Sequence, residues 1–148
     1  MPNPRYGRTL FESYLWRPRM PYYQFTVPTG GATLQHKREI AAAVTKVHSE
    51  VTGAPAAYVH CSFAEVPAGS IFVAGEPVDG PRMVGLIRDG RSAEVRGRLI
   101  HGIADAWCGL TGDAKESLAI FLHEVPGANV MEDGVILPES ADDPGAVH

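Results

Sequence analysis

A proline nitrogen can carry a proton only when it is not part of a peptide bond. The stretch Met20-Pro21-Tyr22-Tyr23-Gln24-Phe25-Thr26-Val27 offers a proline that could meet this condition. If translation starts at Met20 and the methionine is trimmed, Pro21 becomes the first residue, with a secondary amine able to act as acid or base. The same dipeptide is also an ordinary start of a strand, where proline is tolerated. A second group is Arg88-Asp89-Gly90-Arg91, between a strand-like run and a helix capped by Ser92. Two guanidiniums beside exposed backbone N–H groups at a helix N-terminus suit a carboxylate; R-D-G-R is equally a plain solvated turn. His48 follows Val47 on a helix beside the apolar stripe, as a boundary residue or as a donor to a bound carboxylate. Glu132 lies in Val130-Met131-Glu132-Asp133-Gly134, either a surface acid in a turn or a carboxylate whose proton affinity its apolar neighbours raise. Phe121, on the final strand, reads by itself as core. His36, His60, His101, His123 and His148 have no metal-ligand spacing, so neither metal nor cofactor is expected.

These residues need elements to hold them, and the chain repeats its elements. Tyr22 to Val27 is strand-like and Pro28-Thr29-Gly30-Gly31 turns the chain. Thr33 can cap a helix with the stripe Ile40, Val44, Val47 and Val51, ending at Gly53. Ala57 to Val66 is a second strand, closed by Pro67-Ala68-Gly69, and a loop runs from Gly75 to Gly80. The same events recur 59 residues on: Thr52-Gly53 matches Thr111-Gly112, Glu65-Val66-Pro67 matches Glu124-Val125-Pro126, and Gly75 matches Gly134. At that offset Thr33 falls on Ser92, the stripe falls on Leu99, Ile103, Ala106 and Leu110, and Pro21 falls on Gly80, with no gap. The expected fold class is therefore α+β, two tandem β-α-β units of about 55 residues each. Their strands form one four-stranded sheet with both helices on one face, as right-handed crossovers require. With Tyr58, Phe63, Ile120 and Leu122 in it, the other face is expected to be covered by oligomerisation.

The chain has 148 residues, enough for one domain with its own core. Hydrophobic residues make up 45% and charged residues 20%, which are globular values, and no apolar run is long enough to span a membrane. Residues 1–19 hold four arginines and one acid, leaving 9 basic against 16 acidic groups and a charge of −7 for the rest. That balance argues against nucleic acid as a partner. Cys61 and Cys108, 47 positions apart, read as reduced thiols of a cytoplasmic protein. Residues 1–19 read as an upstream extension, 20–138 as the domain with units near 21–75 and 80–134, and 139–148 as an acidic tail or subunit-contact arm.

From Pro21 to about Pro138 the sequence resembles the tautomerase superfamily, specifically the group containing cis-3-chloroacrylic acid dehalogenase. The resemblance rests on Pro21 to Val27, Val51-Thr52-Gly53, Pro67-Ala68-Gly69 with Ile71-Phe72, and most specifically Gly85-Leu86-Ile87-Arg88-Asp89-Gly90-Arg91-Ser92-Ala93. It implies an N-terminal catalytic proline (Pro21), a substrate carboxylate held by His48, Arg88 and Arg91, a glutamate that positions or activates water (Glu132), and a homotrimer. Where the dehalogenase has a tyrosine assisting with that water, this chain has Phe121, whose ring can neither donate nor accept. The expectation is thus keto-enol tautomerisation of small 2-oxo or enol carboxylates, with weak hydration of 3-haloacrylates. The alternatives are an efficient cis-3-haloacrylate dehalogenase or acetylene-carboxylate hydratase, and a non-catalytic oligomeric binding module in which residues 1–19 block Pro21.

Overall fold

The computed structural model describes residues 20–30 and 33–139, with the side chains of 33–35 left aside. The expected extension, the Thr33 cap and all but the first residue of the tail lie outside the described residues. In order, the elements are β1 (Tyr22–Pro28), α1 (Thr33–Thr52), a 3₁₀ turn (Ala56–Tyr58) and β2 (His60–Val66). A small hairpin of β3 (Phe72–Val73) and β4 (Glu76–Pro77) follows. The second unit repeats this as β5 (Arg82–Arg88), α2 (Ala93–Thr111), a 3₁₀ turn (Lys115–Ser117), β6 (Ala119–Val125), and a hairpin of β7 (Met131–Glu132) and β8 (Val135–Ile136).

The four long strands form one sheet in the order β2-β1-β5-β6. β1 pairs parallel with β2, β5 parallel with β6, and the two units meet through antiparallel β1 and β5. Tyr23, Phe25 and Val27 alternate inward from β1, Met83 and Ile87 from β5, and they pack against Ile40 and Val44 of α1 and Leu99, Ile103 and Trp107 of α2. A sheet covered on one face gives this period-two burial. Phe25 stacks between Phe63 and Trp107, with ring centroids 5.2 and 5.1 Å away. The helices touch where a Cβ on Gly102 would come within 2.7 Å of Val47. Each helix ends where its chain needs a left-handed residue, at Gly53 (φ 75°) and Gly112 (φ 77°). Ser92 caps α2 by accepting from the Val95 N–H at 3.2 Å.

Two expectations need correction. The offset is 59 between β2 and β6, which begin at 60 and 119, but 60 between β1 and β5, which begin at 22 and 82. Helix α2 has 19 residues against 20 in α1, so Pro21 corresponds to Pro81 rather than to Gly80. Both prolines accept a hydrogen bond from the first residue of the neighbouring strand, His60 N–H to Pro21 at 3.0 Å and Ala119 N–H to Pro81 at 3.3 Å. The second correction concerns the uncovered face. Phe63, Ile120 and Leu122 point to the helices and pack on the core, and Tyr58 lies in the 3₁₀ turn. The open face instead carries Tyr22, Val84 and Phe121, exposed by 36%, 45% and 60%. Phe63 pairs laterally with buried Phe25, and side chains paired across a parallel ladder share a face.

Candidate active site

The strand directions decide which residues meet. β1 and β2 start at the end of the sheet where β5 and β6 finish, so Pro21, His60, Arg88 and the segment after Val125 gather there. Helix α1 runs back from the far end of β1, which brings His48, near its C-terminus, over the same end. Four of the five residues expected to do chemistry with Phe121 therefore collect around Pro21; they are His48, Arg88, Arg91 and Glu132.

Pro21 stands immediately before β1 and its side chain is fully buried. Tyr23, two residues on, points to the same side and is also fully buried. Its phenol oxygen lies 2.7 Å from Nδ1 of His48, the rings meeting edge to face at 5.7 Å and 68°. Gly85, opposite Tyr23 on β5, makes room for that ring, since a Cβ there would lie 2.7 Å from it. His48 is 2% exposed, and its Nε2 has no partner among the described residues. Burial first, and then the Arg91 guanidinium, push the His48 imidazole down to about 4. Burial also raises the Tyr23 phenol far above its ordinary range, with the charge of Cys61 adding to the rise and Arg91 opposing it. Both groups are therefore neutral at pH 7.

The depressed histidine makes a stability prediction. The unfolded chain takes a proton on His48 near 6.5, whereas the folded one waits until about 4. The contribution is complete above pH 6.5 and lost as pH falls toward 4, reaching roughly 3 kcal/mol. Denaturant titrations of wild type and His48→Gln should differ by that amount more at pH 7 than at pH 4. A difference independent of pH contradicts the assignment.

Arg88 ends β5, 5% exposed, and its Nη2 donates to the Pro138 carbonyl at 2.7 Å. This ties the segment after the β7–β8 hairpin to the sheet, as does Gly127, where a Cβ would lie 2.0 Å from the Pro138 oxygen. The helix N-terminus departs from expectation. The N–H groups of Gly90 and Arg91 donate to Oε2 of Glu124 at 2.7 and 3.3 Å, and Arg96 donates to its Oε1 at 2.8 Å. An internal carboxylate thus occupies two of the amides beside the helix N-terminus.

Glu132 is held by a tight turn in which Asp133 and Gly134 both have positive φ, 49° and 77°. Its Oε2 lies 3.8 Å from Nε2 of His60, whose backbone N–H holds the Pro21 carbonyl. Phe121 is not brought to this place. It sits on the open face of β6, three strands from β2, or about 14 Å across the sheet.

The opposite end of the sheet, where Pro81 lies, carries none of this chemistry. There Trp107 stands for His48, Met83 for Tyr23, Pro28 for Arg88 and Val73 for Glu132. The small pocket at Pro81 is lined by Phe25, Met83, Ile103, Trp107 and Leu118 among others, all apolar. The repeat has been kept for the fold, and the polar site appears at one end of the sheet, built from both units.

Sequence reasoning missed Tyr23 and His60, because each acts through a partner on another element. Parity held a signal for Tyr23, since it shares the face of Pro21.

The family model Tautomerase_3, whose description names an oxalocrotonate tautomerase enzyme, matches residues 20–146. No curated protein matches the sequence closely enough to count as a relative. Among solved structures, native Ps01740 is 30% identical, with a TM-score of 0.71 over 75% of this chain and 99% of its own. N1, a member of the cis-3-chloroacrylic acid dehalogenase family, is 25% identical, with a TM-score of 0.74 over 83% of this chain and 92% of its own. The wild-type Q0 fused 4-OT symmetric trimer, 21% identical, shares the fold with a TM-score of 0.71 over 78% of this chain and 94% of its own. A family match over nearly the whole domain, on this doubled β-α-β sheet, makes the chain a member of the tautomerase superfamily, of the cis-3-chloroacrylic acid dehalogenase-like kind.

Proposed function

We propose that this chain, when Pro21 is its first residue, is a tautomerase for small 2-oxo or enol carboxylates. The observation that carries the reading is buried His48, with Nε2 unpartnered among the described residues and Arg91 close by, at the end of the sheet where Pro21 lies. Such a donor asks for an anionic acceptor. In this reading Arg88, Arg91 and His48 hold the substrate carboxylate. The Pro21 amine, in its uncharged form, takes a proton from one end of the enol system and returns it to the other. The arginines stabilise the enolate charge that develops between the two transfers. The test is ketonisation of phenylenolpyruvate by protein beginning at Pro21. Absence of catalysis would replace this reading by the non-catalytic binding module.

Assembly belongs to the same proposal. The open sheet face exposes Tyr22, Val84 and Phe121, and the fold is shared with a trimer. We infer a homotrimer in the cytoplasm, in keeping with two unbridged cysteines. Phe121, on the open face and three strands from His60 in its own sheet, is placed to meet another copy.

A second reading, hydration of cis-3-haloacrylates or acetylene carboxylates, is favoured by His60 beside Glu132. An imidazole there could supply the polar help with water that Phe121 cannot. If Phe121 limits hydration, Phe121→Tyr raises chloride release from cis-3-chloroacrylate and His60→Ala leaves it unchanged. If His60 serves, His60→Ala lowers chloride release about a hundredfold and Phe121→Tyr has no effect. Chloride release unmoved by either substitution would remove both roles.

A further inference from the structure

We propose that Tyr23 is a positioning residue whose phenol, donating to Nδ1 of His48, fixes the imidazole as its Nε2–H tautomer and so turns His48 into a neutral donor toward the anionic group of the ligand. The inference rests on the proposed tautomerase reading and extends it to how the carboxylate is recognised.

The strengths of the donors and acceptors give the direction of the bond. With the phenol donating to Nδ1, the pair leaves the Nε2–H and the phenol oxygen, a weak acceptor whose lone pair is shared with its ring. With Nδ1–H donating to the phenol oxygen, what is left is the phenol hydrogen, the more acidic of the two donors, and the Nε2 lone pair, a strong acceptor. Tyr23 is 0% exposed and His48 2%, so water cannot serve either ring freely, and the phenol has no second partner among the described residues. An orphaned buried group costs more the stronger a donor or acceptor it is, so the first arrangement prevails. The doubly protonated ring is opposed by burial and by Arg91. What remains is one buried N–H without a partner among the described residues, within the field of the Arg91 guanidinium.

The tautomer decides what the site recognises. An Nε2–H beside Arg91 binds a carboxylate oxygen, whereas an Nε2 lone pair would repel it. The support for the phenol is itself built in. Gly85 lets the Tyr23 ring lie against β5, where a Cβ would meet it at 2.7 Å and Leu122 at 2.6 Å. Without the phenol, Nδ1 is a buried lone pair, and the imidazole divides between two tautomers, one of which presents the wrong face.

The test uses protein beginning at Pro21, with long-range ¹H–¹⁵N NMR of His48 in wild type and Tyr23→Phe. Wild type should show Nδ1 as the bare nitrogen and Nε2 as the protonated one at pH 7. In Tyr23→Phe the two signals should move toward each other, and KM for phenylenolpyruvate should rise about tenfold with a much smaller change in kcat. A wild-type spectrum with the proton on Nδ1 overturns the inference, and needs no variant to fold. An unmoved spectrum and unmoved KM in Tyr23→Phe also overturn it. Because the tautomer is read without turnover, a correct tautomer in a protein that does not ketonise would overturn the tautomerase reading alone.

Discussion

Ketonisation of phenylenolpyruvate is expected to fall about a thousandfold or more when the Pro21 nitrogen is held in a peptide bond. An amide nitrogen of proline has neither a proton to give nor a lone pair to take one. General acid–base catalysis contributes about 10²–10⁴ to a rate, and here one group performs both transfers. The comparison is between protein beginning at Pro21 and the 148-residue chain, with both N-termini fixed by intact mass. Pro21→Ala in the shorter protein keeps an amine but exchanges a rigid secondary one for a mobile primary one, and should lose about a hundredfold. The Pro21 carbonyl bond to the His60 N–H is a backbone contact and survives that substitution, so the sheet should persist. Equal rates in the two chain lengths, or a Pro21→Ala protein with most of the original rate, would take the proline out of the mechanism.

The fold was legible because the chain states it twice. A loop, a helix stripe and a strand recurring at one spacing specify a β-α-β unit, and two such units can pair only through a few arrangements. What escaped was a single residue. A helix α2 shorter by one residue than α1 shifts β5 by one position relative to the rest of its unit, and a one-residue shift exchanges the two faces of a strand. With the offset of 60, Pro21 meets Pro81, and the inward residues Tyr23 and Phe25 meet Met83 and Gly85. The uncovered face was misread for a similar reason: hydrophobicity marked Phe63 and Leu122, whereas parity decides which way they point.

The candidate site was legible where a residue acts alone and obscure where two elements cooperate. Arg88, Arg91, His48 and Glu132 stand out by type within their segments, and strand directions then bring them together. Glu124 did not stand out, because its repeat partner Glu65 makes the matching ion pair with Lys37, as Glu124 does with Arg96. In the second unit that carboxylate also reaches the amides of Gly90 and Arg91. The two units offered a better signal than any motif. Positions at which they differ in kind, His48 against Trp107 or Glu132 against Val73, mark the end of the sheet that kept polar groups and the end that has apolar ones. Phe121 remained opaque, since its face and its strand place it outside the site of its own subunit.

Removing the Arg91 guanidinium should raise KM for carboxylate substrates by about 10- to 150-fold, which corresponds to roughly 1.5–3 kcal/mol for a charge-assisted contact. The size follows from what cannot compensate. Elsewhere a helix N-terminus would offer spare amides to an anion, but here Glu124 already holds the Gly90 and Arg91 N–H groups. That carboxylate also places negative charge behind the site, so a ligand anion without Arg91 meets a poorer field. The same substitution removes one of the two influences that depress His48, leaving burial as the main one. The ring should then take a proton at a somewhat higher pH, readable by NMR independently of turnover. Arg88→Ala is expected to behave differently. Its Nη2 also holds the Pro138 carbonyl, at the foot of the hairpin that presents Glu132, so its loss disturbs position as well as charge. Kinetically, Arg91→Ala should act mainly on KM, and Arg88→Ala on KM and kcat together. An unchanged KM in both proteins would sink the carboxylate assignment, and with it the case for reading this end of the sheet as an anion site.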